Sequence, residues 1–227
     1  MIKPTLLFSL FFCFCSFSQQ VGFELDFTAT YILSKTQDTI KVGFGEEGRY
    51  LYTDSKKVAE AMKGALKQFG AADHSDGLLK LLIDLENIEM LMHFKFGKNT
   101  IIGNIDLTNF FPKKENGETD KLIAKKTSEE IIILEKSYAL HAVYPNQKQE
   151  ETLTVAFDND HAVNYNKHFR KIMGMATGNI IDIDVPNGLL VYARDSKENE
   201  IIRLLAIDER PKKGLLNLDL TFQELKQ

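Results

Sequence analysis

Apolar and polar residues alternate along much of the chain, which is the pattern of half-buried β-strands. The clearest run covers residues 22–33, and shorter runs at 39–44 and 49–52 follow after polar turns. Such closely spaced strands indicate the sequential hairpins of an antiparallel sheet. The positions predicted to face the core in the first run are Phe23, Leu25, Phe27, Ala29, Tyr31 and Leu33.

Two segments instead carry apolar residues at spacings of three and four, which predicts amphipathic helices over residues 55–69 and 160–173. Asp54 or Ser55 can cap the first helix, and Gly70 follows where it should end. Asp160 is the predicted cap of the second helix, whose apolar stripe is weaker. We expect the first helix to lie on the sheet.

Further strands are predicted along the rest of the chain, so the protein is expected to be α+β and mostly β. The stretch 112–126 is rich in Lys, Glu, Asn and Gly and predicts a surface loop or linker between two similar halves. The additional strands are predicted at residues 78–85, 88–96, 101–107, 130–134, 138–144, 152–157, 189–193, 201–207 and 215–220.

The N-terminal segment has the features of an export signal. Lys3 precedes an apolar run over residues 6–17, which is shorter than the roughly 20 residues that a membrane-spanning helix needs. We predict that residues 1–18 are a signal peptide cleaved after Ser18, leaving one exported β-rich domain over residues 19–227. The alternative is a buried N-terminal strand. Export implies a periplasmic or secreted location.

Both cysteines, Cys13 and Cys15, fall within this predicted signal peptide. The exported domain would then contain no thiol and form no disulfide, so packing alone would stabilise it. Lipidation of Cys15, as in bacterial lipoproteins, is the competing hypothesis, although the neighbouring Phe12 and Phe14 are bulky for such a site.

Charge and hydropathy predict neither a nucleic-acid partner nor a membrane-spanning segment in the mature chain. The chain carries 28 Lys and Arg against 32 Asp and Glu, a net charge of −4, and removal of Lys3 makes the exported part more acidic by one charge. This acidic balance predicts no nucleic-acid partner. No later apolar stretch is long enough to cross a bilayer, which predicts no transmembrane span in the mature chain.

Residues 43–48 match the letters of the dinucleotide-binding fingerprint G-x-G-x-x-G. That fingerprint works only where a strand passes into a helix whose N-terminus faces the pyrophosphate. Here a strand is predicted to follow, and Glu46 and Glu47 would repel phosphates. The segment is therefore predicted to be a turn, and no cofactor is expected.

The densest polar cluster is formed by Asp158, Asp160 and His161, with His168 seven residues after His161. The spacing fits neither the zinc-helix motif nor a calcium loop, so no metal site is predicted, and the histidines are expected at the surface. A hydrolase or metal-dependent enzyme would require His161, His168 and one of the aspartates to converge in one cleft. With no nucleophile motif present, we predict no catalytic residues and no enzyme activity.

Several short motifs occur in a fixed order along the chain, at residues 23–27, 48–52, 82–87, 90–92, 155–158 and 187–191. This order resembles the exported bacterial proteins grouped as domain of unknown function 4412, and more loosely the GLPGLI-type proteins. The resemblance implies a curved antiparallel sheet with two helices packed on one face, similar to the LolA-like half-barrel of periplasmic lipoprotein carriers. It carries over no functional residues, and residues 136–139 replace the family's Gly-Tyr-x-Cys-like element.

Two functional hypotheses follow. In the first, a non-catalytic envelope protein binds a hydrophobic small molecule or lipid between the sheet and the first helix. In the second, the helix fills that space, the same residues are core, and the protein is a structural or interaction module for an envelope protein partner. The candidate ligand-binding residues are Phe23, Phe27, Met62, Phe69, Met90 and Met92.

Overall fold

The computed structural model describes residues 21–57, 78–96, 99–110, 119–146, 152–177, 180–216 and 220–224. Within these ranges there are two short helices, α1 (Tyr165–His168) and α2 (Arg170–Thr177), and no helix long and apolar enough to cross a membrane. The strands are β1 (Val21–Leu25), β2 (Phe27–Leu33), β3 (Asp38–Gly45), β4 (Tyr50–Thr53), β5 (Leu78–Asp84), β6 (Glu89–Phe96), β7 (Asn99–Asp106), β8 (Thr119–Ile133), β9 (Lys136–Pro145), β10 (Leu153–Asp158), β11 (Ile180–Asp184), β12 (Leu189–Arg194), β13 (Glu200–Asp208), β14 (Lys212–Leu216) and β15 (Leu220–Glu224).

Twelve strands form one curved, open sheet in the order β11-β8-β9-β10-β12-β13-β2-β3-β4-β5-β6-β7. Every pair is antiparallel except β11 and β8, which are parallel. The strands β2 to β7 form a meander of sequential neighbours, and β13 joins the later strands to β2. The predicted fold class, a mostly β protein with a curved antiparallel sheet and two helices, is confirmed.

One face of this sheet, which we call the core face, carries an unbroken apolar row across β2 to β7. Directly opposite partners in the register form the row, so their side chains point to the same side of the sheet. The alternate residues, such as Tyr52 and Leu82, point to the other face. The row consists of Phe27, Phe44, Leu51, Ile83, Met90 and Ile105.

The helices pack on the core face through Tyr165 and Phe169. The Tyr165 hydroxyl accepts a hydrogen bond from Leu190 N at 3.1 Å, and the Tyr31 hydroxyl donates to Leu190 O at 2.9 Å. Both phenol groups are therefore satisfied within the core, as buried polar groups must be.

The predicted second helix over residues 160–173 begins later than expected. Asn164 caps α1 by accepting from Lys167 N at 3.0 Å, and α2 continues to Thr177. The predicted cap Asp160 is wrong, because its carboxylate binds Lys136 instead. Of the predicted first helix, residues 58–69 lie outside the described residues.

The chain changes sheets at Asp26, whose N–H bonds Phe44 O at 2.7 Å. The strand predicted over residues 22–33 is therefore two strands, of which β1 joins β14 and β15 in a separate three-stranded sheet. Phe23 and Leu25 of β1 pack against Tyr52 and Leu82, on the face of the large sheet opposite the core face. The single strand predicted over residues 215–220 is also wrong, because Leu216 ends β14 and Leu220 begins β15, both in this smaller sheet. Residues 217–219 lie outside the described residues.

The prediction of a loop over residues 112–126 is also wrong from residue 119 onward. Residues 119–126 belong to β8, which pairs with β9 on one side and β11 on the other. The sequence did not indicate β11. Residues 112–118 lie outside the described residues.

The glycine-rich segment 43–48 forms a turn, as predicted. The strand β3 ends at Gly45, a short 3₁₀ turn follows over Glu46–Gly48, and β4 starts at Tyr50. Gly48 has a φ of +90°, a conformation that residues with a side chain rarely adopt. Gly48 therefore allows the backbone to adopt the conformation that this turn requires.

The two-residue turn between β8 and β9 has a sequence that is unusual for its backbone geometry. Leu134 (φ 49°) and Glu135 (φ 65°) are both left-handed, between the paired residues Ile133 and Lys136. Such turns strongly favour Asn-Gly, because a left-handed residue with a side chain costs about 1–2 kcal/mol. This hairpin tip is therefore strained.

We expect the double substitution Leu134→Asn with Glu135→Gly to raise the free energy of unfolding by about 1–2 kcal/mol, because it removes that strain. Urea denaturation measures the change. The control Leu134→Ala with Glu135→Ala removes the side chains but keeps the backbone cost, so its midpoint should not rise. Equal midpoints for the two double variants would show that the turn is unstrained.

Candidate functional site

The structure distributes the predicted ligand-binding residues over both faces of the large sheet. Phe27, Met90 and Met92 lie on the core face, whereas Phe23 packs on the opposite side against Tyr52. The sheet therefore separates Phe23 from the other three. Met62 and Phe69 lie outside the described residues.

The four candidate ligand-binding residues that the structure describes are buried within the protein. Phe23, Phe27, Met90 and Met92 expose only 3%, 6%, 7% and 2% of their surface. Phe27 stacks on Phe44 with ring centroids 5.2 Å apart and meets His161 edge-on at 4.9 Å. Side chains this closely packed act as core in the state described.

A cleft of about 380 Å³ opens elsewhere, where β9 begins and β10 ends. Sequence reasoning did not find it, because its walls come from segments far apart in the chain. The lining includes Lys126, Lys136, Tyr138, His141, Phe157, Asp158, Asp160 and Pro186.

Irregular strand pairing shapes this cleft. Four residue steps of β8, from Lys126 to Glu130, lie opposite only two steps of β9, from His141 to Ala139. The extra residues of β8 form a β-bulge. The bulge is held by Thr127, whose hydroxyl donates to Leu140 O at 3.1 Å and accepts from Glu129 N at 3.2 Å. Bulges re-aim side chains and are frequent beside functional sites.

An ion network centred on the buried Asp158 lies at one end of the cleft. Lys136 Nζ donates to Asp158 Oδ1 and to Asp160 Oδ2, at 2.6 Å in each case. His161 Nδ1 lies 2.7 Å from Asp158 Oδ2, and Asp158 itself is 2% exposed. The Lys136 ammonium thus lies between the two carboxylates, in the place that a metal ion would otherwise take. Within the described part of the chain, no group of three His, Cys, Asp or Glu residues could hold a metal ion.

The network is charged at neutral pH. Burial alone would raise the pKa of Asp158, but hydrogen bonds from Lys136 and His161 outweigh it and hold this pKa below its usual value. Hydrogen bonds to Asp158 and Asp160 raise the pKa of Lys136. Asp158 and Lys136 therefore both carry their charges near pH 7 and pair as ions.

The enzyme alternative required His161, His168 and an aspartate to share one cleft. His161 contacts Asp158 ahead of the two helices, whereas the charges that act on the His168 imidazole belong to Lys167, Glu47, Glu86 and Arg49. His168 is 2% exposed, and burial lowers its pKa. The expectation that His168 lies at the surface is wrong, because its imidazole is packed in the interior.

The opposite end of the cleft carries a different set of groups. Lys126 is exposed and pairs in register with His141 across β8 and β9. Burial lowers the pKa of His141, and the nearby charge of Lys126 lowers it further. The His141 ring meets Phe157 edge-on at 6.0 Å. The imidazole is therefore neutral at pH 7, and Lys126 supplies the positive charge here.

No family model and no curated protein matches the chain. Among solved structures, it is similar to the one described as "Structure of PNGF-II in C2 space group", with 14% sequence identity and a TM-score of 0.35. The similarity covers 92% of this chain and 28% of that one, so the chain spans little more than a quarter of that protein's length. At this level, the likeness carries no information on activity, and the resemblance to domain of unknown function 4412 stays a prediction.

Proposed function

We propose that the protein is an exported, non-catalytic envelope protein that works as an interaction module and docks a partner protein through the tip of the β8–β9 hairpin. One observation carries this proposal. Ile132 and Leu134 at that tip expose 71% and 50% of their surface. Exposed aliphatic residues at a hairpin end present an apolar contact that a partner's pocket can bury.

Backbone strain supports a functional role for the same tip. Single exposed leucines are ordinary on protein surfaces. Here, however, Leu134 and Glu135 hold two consecutive left-handed conformations that favour glycine or asparagine. Strain of this kind concentrates at functional sites, where a required side chain outweighs its conformational cost.

The export part of the proposal rests on the predicted signal peptide over residues 1–18. The corresponding location is the periplasm or the outside of the cell.

A second candidate function is a carrier of an apolar or lipid-like ligand. The unbroken apolar row from Phe27 to Ile105 on the core face favours it, because Met90 and its neighbours offer adaptable apolar contacts. A ligand at the described positions would have to displace side chains that are already packed. The interaction module requires no such displacement and is therefore preferred.

Native mass spectrometry of protein purified from its own envelope separates the two candidates. For the interaction module we expect the mass of bare polypeptide after gentle ionisation, unchanged by added phospholipid. A lipid that co-purifies and leaves only on unfolding would replace this proposal with the carrier function.

Site-specific photo-crosslinking tests the docking tip itself. A benzoyl-phenylalanine at position 134, in cells that produce the protein, should give one crosslinked product that disappears when Ile132→Asp is added. The matched control places the crosslinker at Ile201, an aliphatic residue on β13 that is 43% exposed. Products of equal yield at both positions, or none at 134, would contradict docking through the tip.

A further inference from the structure

The charged side chains in the cleft beside β9 are unevenly distributed, and this distribution indicates the kind of ligand that the cleft can bind. Its lining contains two lysines and two aspartates. The Lys136 ammonium donates a hydrogen bond of 2.6 Å to each of the two aspartates, Asp158 and Asp160. Lys126 is the remaining charged group, and among the described residues its ammonium makes no ion pair or hydrogen bond. One cation at the cleft is thus available to a ligand.

Among the residues that the structure describes, no carboxylate in the lining of the cleft is free to pair with Lys126. Its register partner His141 is partly buried and neutral at pH 7. The two carboxylates of the lining are already bound to Lys136, and Asp158 also contacts His161 at 2.7 Å. An anionic group that enters the cleft would therefore meet the Lys126 ammonium without displacing an internal partner.

The rest of the lining supplies apolar surface of suitable size. Tyr138 and Phe157 are the aromatic residues of the lining, and Ala139 and Pro186 are its aliphatic residues. Ligand pockets commonly have volumes of about 300–1,000 Å³ and combine apolar walls with a few polar groups. The cleft, at about 380 Å³, is at the small end of this range.

We propose that this cleft binds an organic carboxylate, with its carboxylate paired to Lys126 and its apolar body against Tyr138 and Phe157. Two sources share this chemistry: a free small organic acid and the C-terminal carboxylate of a polypeptide with an apolar last residue. This proposal does not rest on docking through the hairpin tip, although Lys136 and Ser137 of the lining lie directly beside that tip. The Asp158 end of the cleft excludes a second negative group, because Asp158 and Asp160 together carry more charge than Lys136 neutralises.

The test is a ¹⁵N-NMR titration of protein produced from its complete coding sequence and purified as the cell processes it. Phenylacetate is compared with phenylacetamide, and the tripeptide Ala-Ala-Phe as free acid with its C-terminal amide. We expect at least one acid to shift the amide signals of Lys126, Tyr138 and Phe157 and to bind about fivefold more tightly than its neutral counterpart, the discrimination typical of a partly exposed ion pair.

The variant Lys126→Gln should remove this preference for the acid. Its matched control is Lys125→Gln, the neighbouring exposed lysine on the other face of the same strand, which should leave binding unchanged. Thermal midpoints equal to the parent's show that both variants fold. Binding by phenylacetate alone identifies the small acid as the source, and binding by the peptide alone identifies a chain end. Equal affinity for acid and amide, or loss in both lysine variants, would overturn the proposal.

Discussion

Replacing Gly45 by alanine is expected to lower the free energy of unfolding by about 3 kcal/mol or more, because it forces two backbones apart. A Cβ at this position would lie 1.9 Å from the carbonyl oxygen of Glu24 and 3.4 Å from Leu25 Cα. These are backbone atoms of β1, which is held by its pairing with β14. Relief would therefore require the three-stranded sheet to move away from β3.

Urea denaturation of a graded series of glycine substitutions tests this expectation. At Gly103 the nearest atom to an added Cβ is Met92 Cε at 3.8 Å, an ordinary contact, so Gly103→Ala should change stability by about 0.5 kcal/mol or less. At Gly43 the clash is with the flexible end of Leu25 at 2.6 Å, and an intermediate loss is expected. The order Gly103, Gly43, Gly45 remains informative even if Gly45→Ala fails to fold. A loss at Gly45 no larger than at Gly103 would contradict the close approach of β1.

Replacing Asp158 by alanine should destabilise the protein by about 3 kcal/mol, because the ion network would lose its buried central acceptor. Lys136 would keep only Asp160, and the Nδ1 group of His161 would lose its carboxylate partner. The matched control is Asp160→Ala, which removes a carboxylate bonded to the same lysine but 76% exposed. That change should cost about 0.5 kcal/mol or less. Equal losses in the two variants would show that burial of Asp158 is not decisive.

The contribution of Asp158 should also depend on pH, with a defined sign. Its pKa in the folded protein is lower than the usual value of 3.8, so the folded state releases the proton more readily than the unfolded state. The stabilisation is therefore complete above the unfolded pKa and is lost as the pH falls through the folded one. The difference in urea midpoint between the parent and Asp158→Ala should be constant from pH 7 to pH 5 and shrink below about pH 4. A difference that grows on acidification would contradict this sign.

Strand positions were predictable from sequence because the side-chain period of two is a local property. Phe23, Leu25, Phe27, Ala29 and Tyr31 alternate in the sequence and are all buried in the structure. The division of this run at Asp26 was not predictable, because alternation continues through the bend. The pattern records which side of a strand is buried, but it does not record which sheet buries it.

The β8 strand shows a second limit of local reasoning. Its residues from Lys125 to Glu130 are mostly exposed, so their polar composition looks like that of a loop. The same limit applies to the cleft. Lys126 meets His141 only through the register of β8 and β9, and Lys136 meets Asp158 only because β9 and β10 are neighbours in the sheet. The cluster of Asp158, Asp160 and His161 did attract notice in the sequence. No local signal identified Lys136 as the cation between the two aspartates.

The central position of β2 governs the order in which the protein can fold. One edge of β2 pairs with β3, which follows it directly, but the other pairs with β13, with Thr28 opposite Asp208. A chain emerging during synthesis can form the early meander, yet β2 keeps an unpaired edge until β13 is available. Because long-range pairings fold slowly, the late arrival of β13 sets the time at which the sheet is completed. Until then the nascent protein exposes an unpaired strand edge at the centre of its future sheet, where a chaperone can bind.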